Sequence, residues 1–273
     1  MNYFTEPFQY EFFARALFVS VLIGALAGAI GPFILVRKMA YIGQGMSQSI
    51  LGGVALGVMW GLDVYLGAAM AAGLSALLIY FVRQRGVPVD TSIGIVASSL
   101  FAIGVAVVSS SRDRRLNSAN LLFGNVLGVD NEDMLLVLVV TIAAAVLLYK
   151  NYKPLLAVTH NSSVAAAHGV KARVMEFIFS ALLAMVVVTA LRVLGVLLVA
   201  ATLLIPAATA TLTFKSFRHI TAASILLGTS FSVIGLFLSF HRNIASGPAI
   251  VLVGAAVFVM TILSNSSIRH SGA

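Results

Sequence analysis

No cysteine occurs in the 273-residue chain. Disulfides, thiolate metal ligands and cysteine nucleophiles are therefore excluded. Charge is nearly as scarce: Asp, Glu, Lys and Arg make up 10% of the residues, and only 9 residues are acidic. Asp63, Asp90, Asp130 and Asp133 all fall at the edges of apolar runs, so an aspartyl-type pair inside a membrane is missing. There is no Gly-Lys dipeptide, which excludes a G-x-x-x-x-G-K-[ST] phosphate loop. There is no H-E-x-x-H either. The 5 histidines (His160, His168, His219, His241 and His270) lie in connections or at the ends of apolar runs, a poor arrangement for a metalloenzyme. The chain is expected to be no enzyme and to bind no cofactor.

What is present is apolar. Hydrophobic residues make up 60% of the chain and mean hydropathy is +1.04. A soluble domain cannot bury that much apolar surface, so lipid must serve as solvent for much of it. Runs long enough to cross a bilayer lie at 12–36, 43–60, 64–82, 91–109, 134–149, 174–191, 194–213, 221–240 and 246–264. No ten-residue alternation suggests a barrel, so these are helices. The expected fold is an all-α polytopic membrane protein with about eight or nine transmembrane helices, forming a single domain over residues 1–273. The first eleven residues hold Glu6 and Glu11 and no base, so a cleaved signal peptide is not expected.

The net charge of +8 is read as topological, with no nucleic-acid partner. Placing the C-terminus in the cytoplasm puts Arg37, Lys38, Arg83, Arg85, Lys150, Lys153, Lys171, Arg173, Lys215, Arg218 and Arg269 inside. Fewer bases, Arg15, Arg112, Arg114, Arg115, Arg192 and Arg242, fall outside. Two connections are long. Residues 110–133 contain "LLFGNVLGVDNED", enough for a short surface or re-entrant helix. Residues 150–173 form the longest cytoplasmic loop, in which Ser162–Ala167 is a run of small helix formers closed by His168-Gly169. It reads either as a helix lying on the membrane or as a docking helix for a cytoplasmic partner.

Polar residues interrupt the apolar pattern at three places. In "YIGQGMSQSILGGVALG" (41–57), Gly45, Ser49, Gly53 and Gly57 recur every four residues and suit close helix packing. Gln44, Ser47 and Gln48, at i, i+3 and i+4, form an adjacent polar stripe. Packing explains the small residues but not the amides, which cost free energy in hydrocarbon unless partnered or wet. A water-lined path is the functional reading. In "GVLLVAATLLIPAATATLTF", Thr202, Pro206, Thr209 and Thr213 fall near one side, and Pro206 bends the span. The threonines read either as lining a cavity or as bonding back to their own helix. In "GLFLSFHRNIASGPAIVL", His241, Arg242 and Asn243 sit between two spans, at the outer mouth or in a plain interfacial turn.

Taken in order, "FILVRKMAYIGQGMSQSILGGVALG", "DTSIGIVASSLFAIGV", "LLFGNVLGV", "VLGVLLVAATLLIPAATA" and "SGPAIVL" resemble the membrane permeases of the metal-ion ABC importers, over nearly the whole chain. The resemblance implies a homodimer in a bacterial plasma membrane, with the metal path along the dimer interface. It implies cytoplasmic ATP-binding subunits docked on Val164, Ala165, Ala166, Ala167, His168, Gly169 and Val170, where ATP is used. It also implies an extracytoplasmic binding protein that delivers metal. On this comparison the path residues are Gln44, Ser47, Gln48, Thr202, Pro206, Thr209 and Asn243.

The chain departs from the family's usual pattern. Gln44 stands where members often carry Asp, Gln48 where they carry His, Asn243 where they carry an acid, and Ala245 where they carry proline. Amide oxygens are weak neutral ligands, so no membrane metal site is carried over as such. Gln48, His241 and Asn243 are the weak candidates to contact metal. The expected function is the permease subunit of an ATP-driven importer of zinc or manganese, with zinc slightly ahead. A permease of the same architecture for a metal chelate, and a channel or scaffold needing no ATPase, stay open as alternatives.

Overall fold

The computed structural model describes residues 6–39, 41–62, 64–110, 129–195, 198–242 and 244–270. Among them a short 3-10 turn at Glu6–Gln9 is followed by α1 (Glu11–Val36), α2 (Tyr41–Met59), α3 (Val64–Gln84), α4 (Val89–Ser110) and α5 (Asn131–His160). Then come the short α6 (Ser162–Ala167), α7 (Ala172–Leu194), α8 (Val199–Thr213), α9 (Phe217–Arg242) and α10 (Ser246–His270). The described residues contain no strand. Seven of these helices are long and apolar enough to cross a membrane, and α2 and α8 add 19 and 15 residues. The all-helical membrane fold and its expected helix number agree with this.

Apolar residues all round a helix mean burial on all sides, whereas one apolar face against lipid leaves the rest for packing. Of the most apolar stretch of α1, 72% is buried, against 22% for α5. α1 is therefore the central post and α5 lies at the edge. α3 exposes Leu66, Met70, Leu74, Leu77 and Phe81 at three- and four-residue spacing, a stripe suited to lipid.

Small residues set the helix pairs. Gly24 and Gly28 of α1 back directly onto Gly228 and Ser224 of α9, so the two helices run antiparallel with backbones touching. Aromatic pairs close both ends of this crossing, Phe33 with Phe217 at 4.8 Å and Phe13 with Phe240 at 5.3 Å between ring centroids. In α2, a four-residue step advances about 400°, so successive small residues drift about 40° round the helix. Gly45 accordingly faces Ile93 of α4, while Gly53 and Gly57 have turned toward Gly67 of α3. Gly52, seven residues after Gly45 and almost in line with it, meets Leu100 and Gly104 of α4. Ser49 is buried in the same helix, its hydroxyl donating to the Gly45 carbonyl at 2.8 Å. These pairings make α2 and α3 antiparallel and α2 and α4 parallel.

The turns α1–α2, α3–α4, α5–α7 and α8–α9 thus collect at one end. Phe217 touches Phe33, Tyr152 and His160 there. This end carries Arg37, Lys38, Arg83, Arg85, Lys150, Lys153, Lys171, Arg173, Lys215 and Arg218, and it is called the basic end below.

Three boundaries differ from the sequence expectation. The connection set at 150–173 begins later, because α5 continues through Pro154 to His160. The bases Lys150 and Lys153 break an apolar run but not a helix. The spans set at 174–191 and 194–213 are separated at Gly195, whose φ of 76° ends α7 in the left-handed region. α5 starts at Asn131, where Asp133 Oδ2 accepts from the Asp130 N–H at 3.3 Å. Most of the 110–133 connection, including Arg112, Arg114 and Arg115, lies outside the described residues.

The α1–α9 crossing makes a direct prediction. A Cβ at Gly228 meets the Gly24 backbone, which cannot yield, whereas one at Gly73 meets nothing within 4 Å. Gly228→Val should destabilise the detergent-solubilised protein by on the order of 2 kcal/mol. Gly73→Ala should leave it unchanged or raise stability by about 0.5–1 kcal/mol. Thermal unfolding of both variants beside wild type measures the difference.

Candidate functional site

Parallel packing of α2 on α4 brings their first turns together at the basic end. Between them lies an open groove of about 410 Å³. Tyr41, Gln44, Gly45 and Gln48 line it from α2, and Asp90, Thr91, Ile93, Gly94, Ala97 and Ser98 from α4. Gln44, Asp90, Thr91 and Ser98 are exposed and Gln48 half-buried. The wall is thus amide, hydroxyl and carboxylate over small residues, and a Cβ at Gly94 meets nothing within 4 Å. Such groups are stable beside an apolar bundle only where water or a polar ligand reaches them. Asp90 sits in the first turn of α4, where the positive helix end favours a carboxylate.

The groove gathers only two of the sequence-assigned path residues, Gln44 and Gln48. Ser47 is fully buried on another side of α2, donating to the Gly43 carbonyl at 2.7 Å. Thr202 and Pro206 line a separate small cavity of about 20 Å³, with room for about one water, among α1, α7, α8, α9 and α10. Thr209 is buried and bonds to the Ile205 carbonyl at 2.8 Å, as Thr202 does to Val199 at 2.8 Å. Asn243 lies outside the described residues.

His241 ends α9 beside Phe240, at the end of the bundle opposite Gln44 and Gln48. Within one chain, His241 and Gln48 do not surround a common ion. No group of three or more His, Cys, Asp or Glu side chains among the described residues is placed to hold a metal. At the far end from the groove, Tyr65 donates to Asp133 Oδ1 at 2.6 Å, which satisfies that buried carboxylate.

Sequence reasoning left Tyr41, Asp90, Thr91 and Ser98 unassigned. The signal was there: Thr91, Gly94 and Ser98 fall at i, i+3 and i+7, one polar and small face of a helix.

Beside the groove end of the bundle, α6 forms a short exposed helix. Asn161 Oδ1 caps it by accepting from the Ser163 and Val164 N–H groups at 3.0 and 3.1 Å. The Val170 N–H returns to the Ala165 carbonyl and the Gly169 N–H to Ala166, both at 3.0 Å, with Gly169 at φ 81°. This is a Schellman stop, and it requires the glycine. Ala165 alone within α6 is buried; Val164, Ala166, Ala167, His168 and Gly169 face outward.

A bundle of membrane-length helices with a polar groove set into its side has the form of a membrane transport permease. The chain belongs to the ABC 3 transport family, whose model matches residues 9–265. It is 36% identical to the manganese transport system membrane protein MntC of Listeria monocytogenes over 256 residues, covering 93% of this chain and 91% of that one. It is 34% identical to the manganese import system permease protein ScaB of Streptococcus gordonii over 254 residues, covering 93% and 91%. A probable iron transport system membrane protein of Haemophilus influenzae is 30% identical over 259 residues, covering 94% and 92%. Among solved structures, PsaBC from Streptococcus pneumoniae in complex with Fab superposes with a TM-score of 0.86 at 33% identity, covering 95% of this chain and 94% of that one.

The absence of native cysteine makes the groove testable by labelling. Single cysteines at Gln44, Gln48 and Ser98 should react with a membrane-impermeant thiol reagent applied at the basic end. Cysteines at Leu182, fully buried in α7, and at Val139, on the lipid-facing surface of α5, should stay unlabelled. Equal labelling at all five positions would remove the case for a wet groove.

Proposed function

We propose that this chain is the membrane permease of an ATP-driven importer of manganese. The observation that carries the reading is the oxygen-lined groove between α2 and α4. Its potential donors are the Gln44 and Gln48 amides, the Thr91 and Ser98 hydroxyls and the Asp90 carboxylate, with no imidazole or thiolate. Hard oxygen donors suit manganese better than zinc, which prefers nitrogen and sulfur. The manganese permeases among the relatives point the same way, so the order of zinc and manganese expected from sequence is reversed. A set in which one carboxylate stands among weak neutral donors fits a path, because conduction needs release as well as entry. Ser47, Thr202, Pro206, Thr209 and Asn243 are proposed as further positions along the path. Gln48, His241 and Asn243 are retained as candidate metal contacts from different stages of passage.

The basic end faces the cytoplasm in this proposal, which follows the positive-inside rule and also puts the C-terminus inside. An ATP-binding subunit docks on the exposed faces of Val164, Ala166, Ala167, His168 and Gly169, with Ala165 and Val170 anchoring α6 to the bundle. A binding protein delivers metal at the opposite end. The permease works as a homodimer, the exposed polar faces of α2 and α4 lying toward the second copy.

Vesicles reconstituted with this chain, its ATP-binding subunit and its binding protein should take up manganese only when ATP is supplied. Manganese should be preferred to zinc in competition. Uptake of neither ion with ATP present would overturn the proposal. Uptake confined to a chelated metal would replace the cargo with a metal chelate. Uptake without ATP would make the chain a channel.

A further inference from the structure

Basic side chains at a membrane border ordinarily extend into water. Arg37 does not. It caps α1 and folds back against the bundle, half-buried, with its guanidinium carbon 4.1 Å from the centre of the Phe179 ring of α7. Its Nε donates to Thr159 Oγ1 of α5 at 2.9 Å. Its Nη2 is buried without a hydrogen-bond partner among the described residues. Burial pushes the guanidinium below its ordinary pKa, Glu176 on α7 opposes this, and Arg83 adds to it. Stacking and a single hydrogen bond hold a costly charge in place, so its position serves something other than solvation.

That position lies between two elements of the proposed mechanism. Thr159 is the penultimate residue of α5, and Asn161, two residues on, caps the exposed helix α6. On the other side, Arg37 is the first residue of the turn into α2. Lys38 is left-handed there at φ 54°, with its N–H on the Leu35 carbonyl at 3.0 Å and the Met39 N–H on Ile34 at 3.1 Å. This closes a Schellman motif without a glycine, and the Ile42 N–H of α2 bonds back to the Met39 carbonyl at 3.0 Å, tying the turn to the start of α2. Tyr41, Gln44 and Gln48 of the groove follow within the first turns of α2.

We propose that Arg37 is a positioning residue that transmits displacement of α6, through Thr159, to the groove end of α2. The inference rests on the reading of the chain as an ATP-driven permease. Because α5 runs unbroken through Thr159 almost to α6, a push on α6 moves the hydroxyl. The planar guanidinium, held between that hydroxyl and the Phe179 ring, moves with it and turns the start of α2. The state of the groove is thereby tied to the state of the docked ATPase.

The test uses the complete transporter in vesicles, with manganese taken up per ATP hydrolysed as the readout. Thr159→Val removes the acceptor and keeps the shape, whereas Thr159→Ser keeps the acceptor. Thr159→Val should assemble and hydrolyse ATP as wild type does, with manganese per ATP lowered roughly five-fold or more. Thr159→Ser should retain the wild-type ratio, and Arg37→Gln should fall with Thr159→Val. A wild-type ratio in Thr159→Val overturns the inference. An equal loss in Thr159→Ser also overturns it, because packing alone would then account for the effect. In both cases the permease reading stands, since wild type still transports. A wild-type complex that takes up no manganese with ATP removes that reading, and this inference with it.

Discussion

Hydrocarbon gives a polar group nothing to bond to, and that constraint governs where polar groups sit in the described helices. Most hydroxyls answer by donating to a carbonyl one turn back in their own helix, as Ser47, Ser49, Thr202, Thr209 and Ser232 do. Backbones answer by staying helical and approaching closely where glycine allows. The amides of Gln44 and Gln48 have no such partner among the described residues and stand at an open groove. The groove is therefore where the physics demands water or a polar cargo. Its location at the ends of α2 and α4 follows from the glycines that hold those two helices parallel.

The architecture makes that groove addressable. α1 is buried as a central post, and α9 crosses it backbone to backbone. α2, α3 and α4 form a second group of helices to one side, joined to the first through the short turn after Arg37. The exposed helix α6 sits at the same end of the bundle as the groove. In the orientation proposed above, the ATP-binding subunit and the transported ion act on neighbouring parts of one fold, with no need for a signal to cross the membrane thickness.

The spans were legible because roughly twenty apolar residues admit few other structures. The short helix at Ser162–Ala167 and its stop at Gly169 were legible from small residues followed by glycine. The extension of α5 to His160 was not, since Lys150 and Lys153 look like a loop until one sees that the helix runs past the membrane border. Gly52 and the Ser224–Gly228 pair escaped notice because four-residue spacing in α2 drew attention to one stripe, while helix rotation divides that stripe between two neighbours. Gln44 and Gln48 announced themselves by amide cost alone. Asp90, Thr91 and Ser98 did not, because only the packing of α4 on α2 turns a span edge into a groove wall. Thr202 and Pro206 share a side of α8, as spacing implied, but that side meets α9 and α10 and not the groove.

In this proposal the amides of α2 meet the transported ion rather than merely filling space. Replacing Gln44 and Gln48 together by leucine keeps the side-chain bulk broadly similar and removes the polar groups. ATP-driven manganese uptake by the assembled transporter carrying this pair measures the claim directly. Uptake should fall at least tenfold, the effect of about 1.4 kcal/mol on passage, with assembly unchanged. Uptake at the wild-type rate would contradict it and leave α2 as a packing element alone.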